Sequence, residues 1–237
     1  MIEINTIAEI HAAIGLPAPK HPLVSVFRPE EIKLGNKHAG NSVRLNVYQI
    51  WCNDGLIGAH GYGRNTYDFT EGTFAFSKPG QILHVNRKEV SNDSKAWALF
   101  FHPDLIRKSK LGENIEQYSY FEYEIHESLH VSEEENLILR EIRDKIIREF
   151  SKSIDRYSQK LIVANIELLL DYCMRYYDRQ FYTRTNLNQD LVSKFQHILR
   201  SYYEAENHLE SGLPTVKYMG ENLNLSPKYL SDLLKKE

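Results

Sequence analysis

The chain has 237 residues, of which 42% are hydrophobic and 26% charged, the make-up of a folded protein able to bury a sizeable core. A formal net charge of −3 excludes a global basic field for nucleic acid, and two cysteines, Cys52 and Cys173, are too few for a disulfide framework. No stretch reaches the ~18 apolar residues of a membrane span, and the start MIEINTIAEI lacks the basic and apolar regions of a secretory signal. A cytoplasmic protein with no membrane partner is expected.

Thr6 and Glu9 have capping-box spacing, and Ile7, Ile10 and Ile14 mark one face of a short helix ended by Gly15. From Leu23 to about Val131 the pattern becomes that of strands. Val43, Leu45 and Val47, then Phe74 and Phe76, alternate with polar residues, and Ala96 to Phe101 is a short apolar run. Turn signals separate these pieces at Cys52-Asn53-Asp54-Gly55, Gly61-Tyr62-Gly63, Lys78-Pro79-Gly80 and Ser91-Asn92-Asp93. Phe121, Tyr123 and Ile125 alternate as a further strand. The expectation is a β-sandwich or small barrel over residues 1–131.

A helical pair follows over residues 132–186. Ser132 and Glu135 form a second capping box, and Leu139, Ile142, Ile146 and Phe150 make the apolar stripe of the first helix. Ser151 to Asp155 breaks the pattern. The next helix runs to about Tyr177 with Leu161, Ile162, Asn165, Ile166, Leu169, Cys173 and Tyr176 on one broad face. A lone Asn in such a seam can set partner number, so this helix is the expected homodimer contact, the alternative being packing against the protein's own barrel. Phe181 to Asn186 reads as a linker, and Asn188 as the cap of a helix carrying Leu191, Phe195, Ile198, Leu199 and Tyr202.

Residues 187–237 end in LPTVKYMGENLNLSPKYLSDLLKKE. Val216, Met219 and Leu223 recur at helical spacing, as do Leu230, Leu233 and Leu234. Between them Asn224 suits a left-handed turn residue, Ser226 a cap, and Pro227 the first helical position. This is the pattern of a helix-turn-helix, whose second helix enters a major groove. The S-x-x-Y-L-S-x-L-x-K register from Ser226 to Lys235 resembles the first helix-turn-helix of AraC/XylS-type transcriptional regulators. EGTFAFSKPGQILHV and WALFFHPDLI resemble strands of the cupin-like sensor domain that precedes it in that family.

The resemblance implies an α+β protein: a cupin-like sandwich or barrel, a helical pair, then the helix-turn-helix. It implies double-stranded DNA as partner, with Lys228, Ser231 and Asp232 facing base edges and Ser226 and Lys235 reaching phosphates, and a barrel that could take a small-molecule effector. Aromatic walls for such an effector are expected from Tyr48, Trp51, Phe74 and Trp97. The family's DNA-binding unit has two such motifs, and these 237 residues hold the first. Leu187 to Glu237 carries six basic residues against seven acidic ones, so DNA binding is expected to be weak. Gly220 stands where the family usually has Ala, at a propensity cost of up to ~1 kcal/mol.

The tempting catalytic string is His126-Glu127-Ser128-Leu129-His130, which matches H-E-x-x-H. That motif needs both imidazoles on one helix face, and here it precedes the capped helix at Ser132, so no zinc is expected. His60-Gly61-Tyr62 and His84-Val85-Asn86 each lack the second His of a cupin H-x-H pair. No nucleophile elbow or phosphate-gripping loop occurs. Neither an enzyme nor a cofactor is expected; the alternative is a cupin-type binding protein or enzyme whose C-terminal helices only pack.

Overall fold

In a computed structural model the chain is described over residues 2–32, 42–53, 72–84, 95–152, 155–183, 185–205, 209 and 212–236. His60, Val85-Asn86, Asp54-Gly55, Gly61-Tyr62-Gly63 and Ser91-Asn92-Asp93 lie outside those residues. The described chain is mixed α+β, with two sheets and eight α-helices.

Strand β1 (Ile2–Ile4) leads into α1 (Ile7–Ile14), closed by the Thr6–Glu9 capping box and by Gly15 at φ 73°. The remaining strands are β2 (Val24–Phe27), β3 (Ser42–Leu45), β4 (Tyr48–Asn53), β5 (Thr73–Ser77), β6 (Gln81–His84), β7 (Trp97–Phe101) and β8 (Leu129–His130). A three-stranded sheet has the order β1-β3-β6, with β1 parallel to β3. A fully antiparallel five-stranded sheet has the order β2-β7-β4-β5-β8.

Alternation along β2, β4 and β7 splits the large sheet's apolar residues between two cores. Phe27, Ala98 and Phe100 face the small sheet and α1, packing with Ile4, Ile7, Ile10, Val43, Leu45 and Val47. Val24, Ile50, Cys52, Phe74, Phe76, Trp97, Leu99 and Phe101 face the other way, into a larger core built mostly with helices. That core runs without interruption across the boundary expected at residue 131.

The helices of the larger core are α2 (Pro103–Ile106), α3 (Lys110–Asn114), α4 (Glu133–Ser151) and α5 (Ser158–Thr183). The Ser132–Glu135 box caps α4. Asp155 starts α5 by accepting from the N–H groups of Tyr157 (2.7 Å) and Ser158 (2.9 Å). Those bonds hold the Asp155 carboxyl below the usual carboxylate range.

Three expected elements differ. Helix α5 continues past Tyr177 to Thr183, and α6 spans Thr185–Glu204, so the described residues of the expected linker are helical and Asn188 lies inside a helix rather than at its cap. Phe181 is buried against Tyr177 and Tyr229, which anchors the last turn of α5. Phe121 to Ile125 is not a strand: Ser119–Glu122 and Ile125–Glu127 are 3₁₀ turns, with Tyr120 and Phe121 buried side by side and Ile125 56% exposed. Two adjacent buried side chains cannot belong to a strand with one wet face. Finally, Leu169 is fully buried in the protein's own core, while Asn165 is half-exposed and donates to the Leu161 carbonyl at 2.7 Å. The outward residues of α5 are instead Leu161 and Leu168, with Tyr157 exposed just before its start.

Candidate functional site: the C-terminal helix pair and its seat

Two helices of eight residues, α7 (Val216–Leu223) and α8 (Pro227–Leu234), meet at a tight corner. Asn224 is left-handed (φ 54°), Ser226 caps α8 by accepting from Tyr229 N–H at 3.1 Å, and Pro227 takes the first helical position. A Cβ on Gly220 would lie 2.6 Å from the Leu225 carbonyl oxygen, so the corner requires glycine there. The propensity cost read from the sequence is the cost of turning this tightly.

Met219, which is buried, and Leu234, which is half-buried, lie beside Phe195 and Leu199 of α6, while Leu230 is buried and Leu233 joins the larger core. An open groove of about 280 Å³ remains between α6 and the pair, lined by Phe195, Leu199, Val216, Met219, Leu234 and the rim residues Ser231 and Lys235.

One flank of α8 is sunk into an aromatic layer. The Tyr229 ring packs against Tyr123 (centroids 5.1 Å apart) and Phe181 (5.0 Å), and Tyr123 in turn against Tyr177. Three and seven residues on from Tyr229, the same flank makes polar contacts: Tyr123 Oη donates to Asp232 at 2.9 Å, and Lys236 Nζ pairs with Asp178 at 2.6 Å. Burial raises the Tyr123 hydroxyl well above its ordinary pKa, and does the same for Tyr177.

The N-terminal end of α8 is held by Glu127. This carboxylate is 2% exposed and accepts from Ser226 N–H (2.6 Å), Ser226 Oγ–H (2.6 Å) and Glu124 N–H (2.7 Å). Three charge-assisted donors offset the desolvation of a buried carboxylate. Beside it, His126 Nε2 lies 2.8 Å from the Asn224 carbonyl, the donor when that nitrogen carries the proton.

The H-E-x-x-H string is thus a docking element. His126 and Glu127 sit on a 3₁₀ turn and His130 on β8, so the two imidazoles share no helix face. The backbone of His130 is held from outside the sheet, its N–H by Gln180 Oε1 (2.7 Å) and its carbonyl by Arg179 (2.7 Å). Among the described residues no group of three His, Cys, Asp or Glu side chains is placed to hold a metal ion.

The residues expected at DNA divide. Lys228 and Ser231, both half-buried, and the exposed Lys235 lie along one face of α8, with Lys235 Nζ 3.5 Å from Asp232. Ser226 and Asp232 are engaged within the protein, by Glu127 and Tyr123. The expected aromatic pocket needs correcting. Tyr48, Phe74 and Trp97 face the helix-backed core, whereas Trp51 faces the small sheet, packing on Phe27 and Phe100. Positions 48 and 51 are an odd number apart on one strand, so they point to opposite faces. Phe74 and Trp97 are fully buried against one another at 5.6 Å. Trp51 therefore stands apart from the other three, across the sheet.

Sequence reasoning weighed Glu127 only within the H-E-x-x-H string and missed its contact with Ser226. Its signal was present in the capping-box spacing of Glu124 and Glu127, but its partner lies 99 residues away. Comparison with known proteins adds no neighbour: no family model, no curated protein and no solved structure matches this chain.

Proposed function

We propose that this chain is a DNA-binding transcriptional regulator of the AraC/XylS type, with a cupin-like sensor formed by the two sheets and a reading head formed by α7 and α8. The observation that carries the reading is the partly open face of α8. A helix with a hydroxyl cap and proline start turns Lys228, Ser231 and Lys235 outward at the spacing a major-groove helix uses. Lysine can donate to guanine O6 and N7, serine to either type of base, and Lys235 to a phosphate. The reading carries with it a cytoplasmic location and a non-enzymatic role. It is compatible with Cys52 and Cys173 being buried and not joined in a disulfide, and with the fact that no helix among the described residues is long and apolar enough to cross a membrane.

The test is a salt titration of binding to genomic duplex fragments. Binding is expected on the order of micromolar at physiological salt, because few cations face the duplex. Lys228→Ala and Lys235→Ala should weaken it, and a change at a phosphate contact should reduce the salt slope by about 1. Binding indifferent to both substitutions would assign the duplex to another surface and remove the reading.

The same proposal includes a homodimer through the outward stripe of α5. Leu161 and Leu168, seven residues apart, are 45% and 41% exposed among the described residues. Light scattering should show a dimer at tens of micromolar that Leu161→Glu with Leu168→Glu converts to a folded monomer. A monomeric parent chain would sink this part.

A further inference from the structure

We infer that α8 is stored in a closed state, with the Glu127 carboxylate standing where a DNA phosphate would bind. This rests on the DNA-binding reading above and assigns its regulation to a contact that reading does not need. The N-terminal end of a helix offers backbone N–H groups and a cap hydroxyl to an anion, and in a groove-bound helix the phosphate takes them. Here the Ser226 N–H and hydroxyl both go to Glu127, at 2.6 Å each. A carboxylate and a phosphate oxygen have the same charge and the same acceptor role. They exclude each other from one pair of donors, by space and by repulsion.

The flank contacts impose the same exclusion on a larger scale. A helix with its side chains is roughly 10–12 Å across, and the major groove is about 12 Å wide and 8.5 Å deep. A helix that enters it has groove wall on both sides. In the closed state one flank of α8 is occupied by protein: Tyr229 lies among Tyr123 and Phe181, Asp232 holds the Tyr123 hydroxyl, and Lys236 holds Asp178. The reading face of Lys228, Ser231 and Lys235 is partly open, yet the helix cannot be inserted until that flank leaves its seat.

The seat is also the part of the chain that touches the sheet. Tyr120 and Phe121, a few residues before Glu127, pack on Phe76 at 4.4 and 5.7 Å, and Phe121 on Tyr48 at 5.2 Å. One short segment therefore contacts the sheet on one side and clasps the reading head on the other. Opening the clasp draws on the free energy of DNA binding, so the apparent affinity falls by the fraction of molecules that are open.

The experiment compares the full chain with Glu127→Gln and with Tyr123→Phe. The first removes the charge, and the second keeps the ring and removes only the bond to Asp232. Circular dichroism establishes that each is folded. Hydrogen exchange then reads the α8 amides, and anisotropy reads binding to a random-sequence duplex at fixed salt. Faster α8 exchange together with tighter DNA binding, on the order of 5- to 150-fold for Glu127→Gln and less for Tyr123→Phe, is the expected result. If α8 loosens while the parent chain binds DNA and the variants bind no tighter, the closed-state inference fails and the DNA reading stands. Unchanged α8 exchange in both folded variants also overturns the inference, since nothing was then being held. If α8 loosens and neither parent nor variants bind the duplex at low salt, the DNA reading itself fails and takes the inference with it.

Discussion

Helices α7 and α8 have the same length and the same kind of start, a hydroxyl residue accepting from the third N–H after it at 3.1 Å. Their surroundings differ. Thr215 caps α7 in the open, and Tyr218 on that helix is only half-covered by an edge contact with Tyr202. Ser226 caps α8 while buried against Glu127, and Tyr229, at the equivalent place three residues after the cap, is buried between Tyr123 and Phe181. Local chemistry makes both helices. The tertiary seat makes one of them a structural member of the protein and leaves the other on its surface.

The sharpest way to break that contrast is to truncate the paired tyrosines. Tyr229→Ala is expected to lower stability by about 3–5 kcal/mol, the range for a buried aromatic, in urea melts followed by near-ultraviolet dichroism. Tyr218→Ala should cost under about 1 kcal/mol. Equal losses would show that both helices rest on the protein to the same degree.

The caps give a smaller contrast. Thr215→Ala removes a solvent-exposed cap and should cost about 1 kcal/mol. Ser226→Ala removes the cap and one donor to a buried carboxylate, so about 2–3 kcal/mol is expected in the same melts. A ratio near one would mean that Glu127 adds nothing to the seat.

The third expectation vanishes at neutral pH and grows only in alkali. Burial holds the Tyr123 and Tyr177 hydroxyls above the ordinary value of 10, so their protonated forms are favoured in the folded protein. Their contribution is complete below the unfolded value and is lost as pH rises past 10, because the unfolded chain gives up those protons more easily. Hydrogen exchange should therefore release α8, which packs on Tyr123, as the pH passes that value, while α7, whose ring contact is with Tyr202, responds less. Simultaneous release of both would assign the transition to global unfolding.

How much was legible follows from the range of each interaction. The Thr6–Glu9 and Ser132–Glu135 boxes, the Gly15 stop, and the Asn224–Ser226–Pro227 corner are formed by groups within four residues of each other, so the sequence determines them. Strand parity is equally local. It already placed Trp51 on the face opposite Tyr48, which no pocket built from both can survive.

Only the tertiary structure decided where the helices end and which side they bury. The sequence marks no stop after Tyr177, yet only the contact of Phe181 with Tyr229 shows why α5 continues to Thr183. Leu169 and Leu168 are the same residue type one position apart, and the layer behind α5 buries one and exposes the other. Glu127 reads as one more acidic residue until the chain returns 99 residues later and supplies two donors for its carboxylate. Burying a charge is unfavourable unless its partners arrive with it. Sequence alone names the charge, and the fold alone brings the partners.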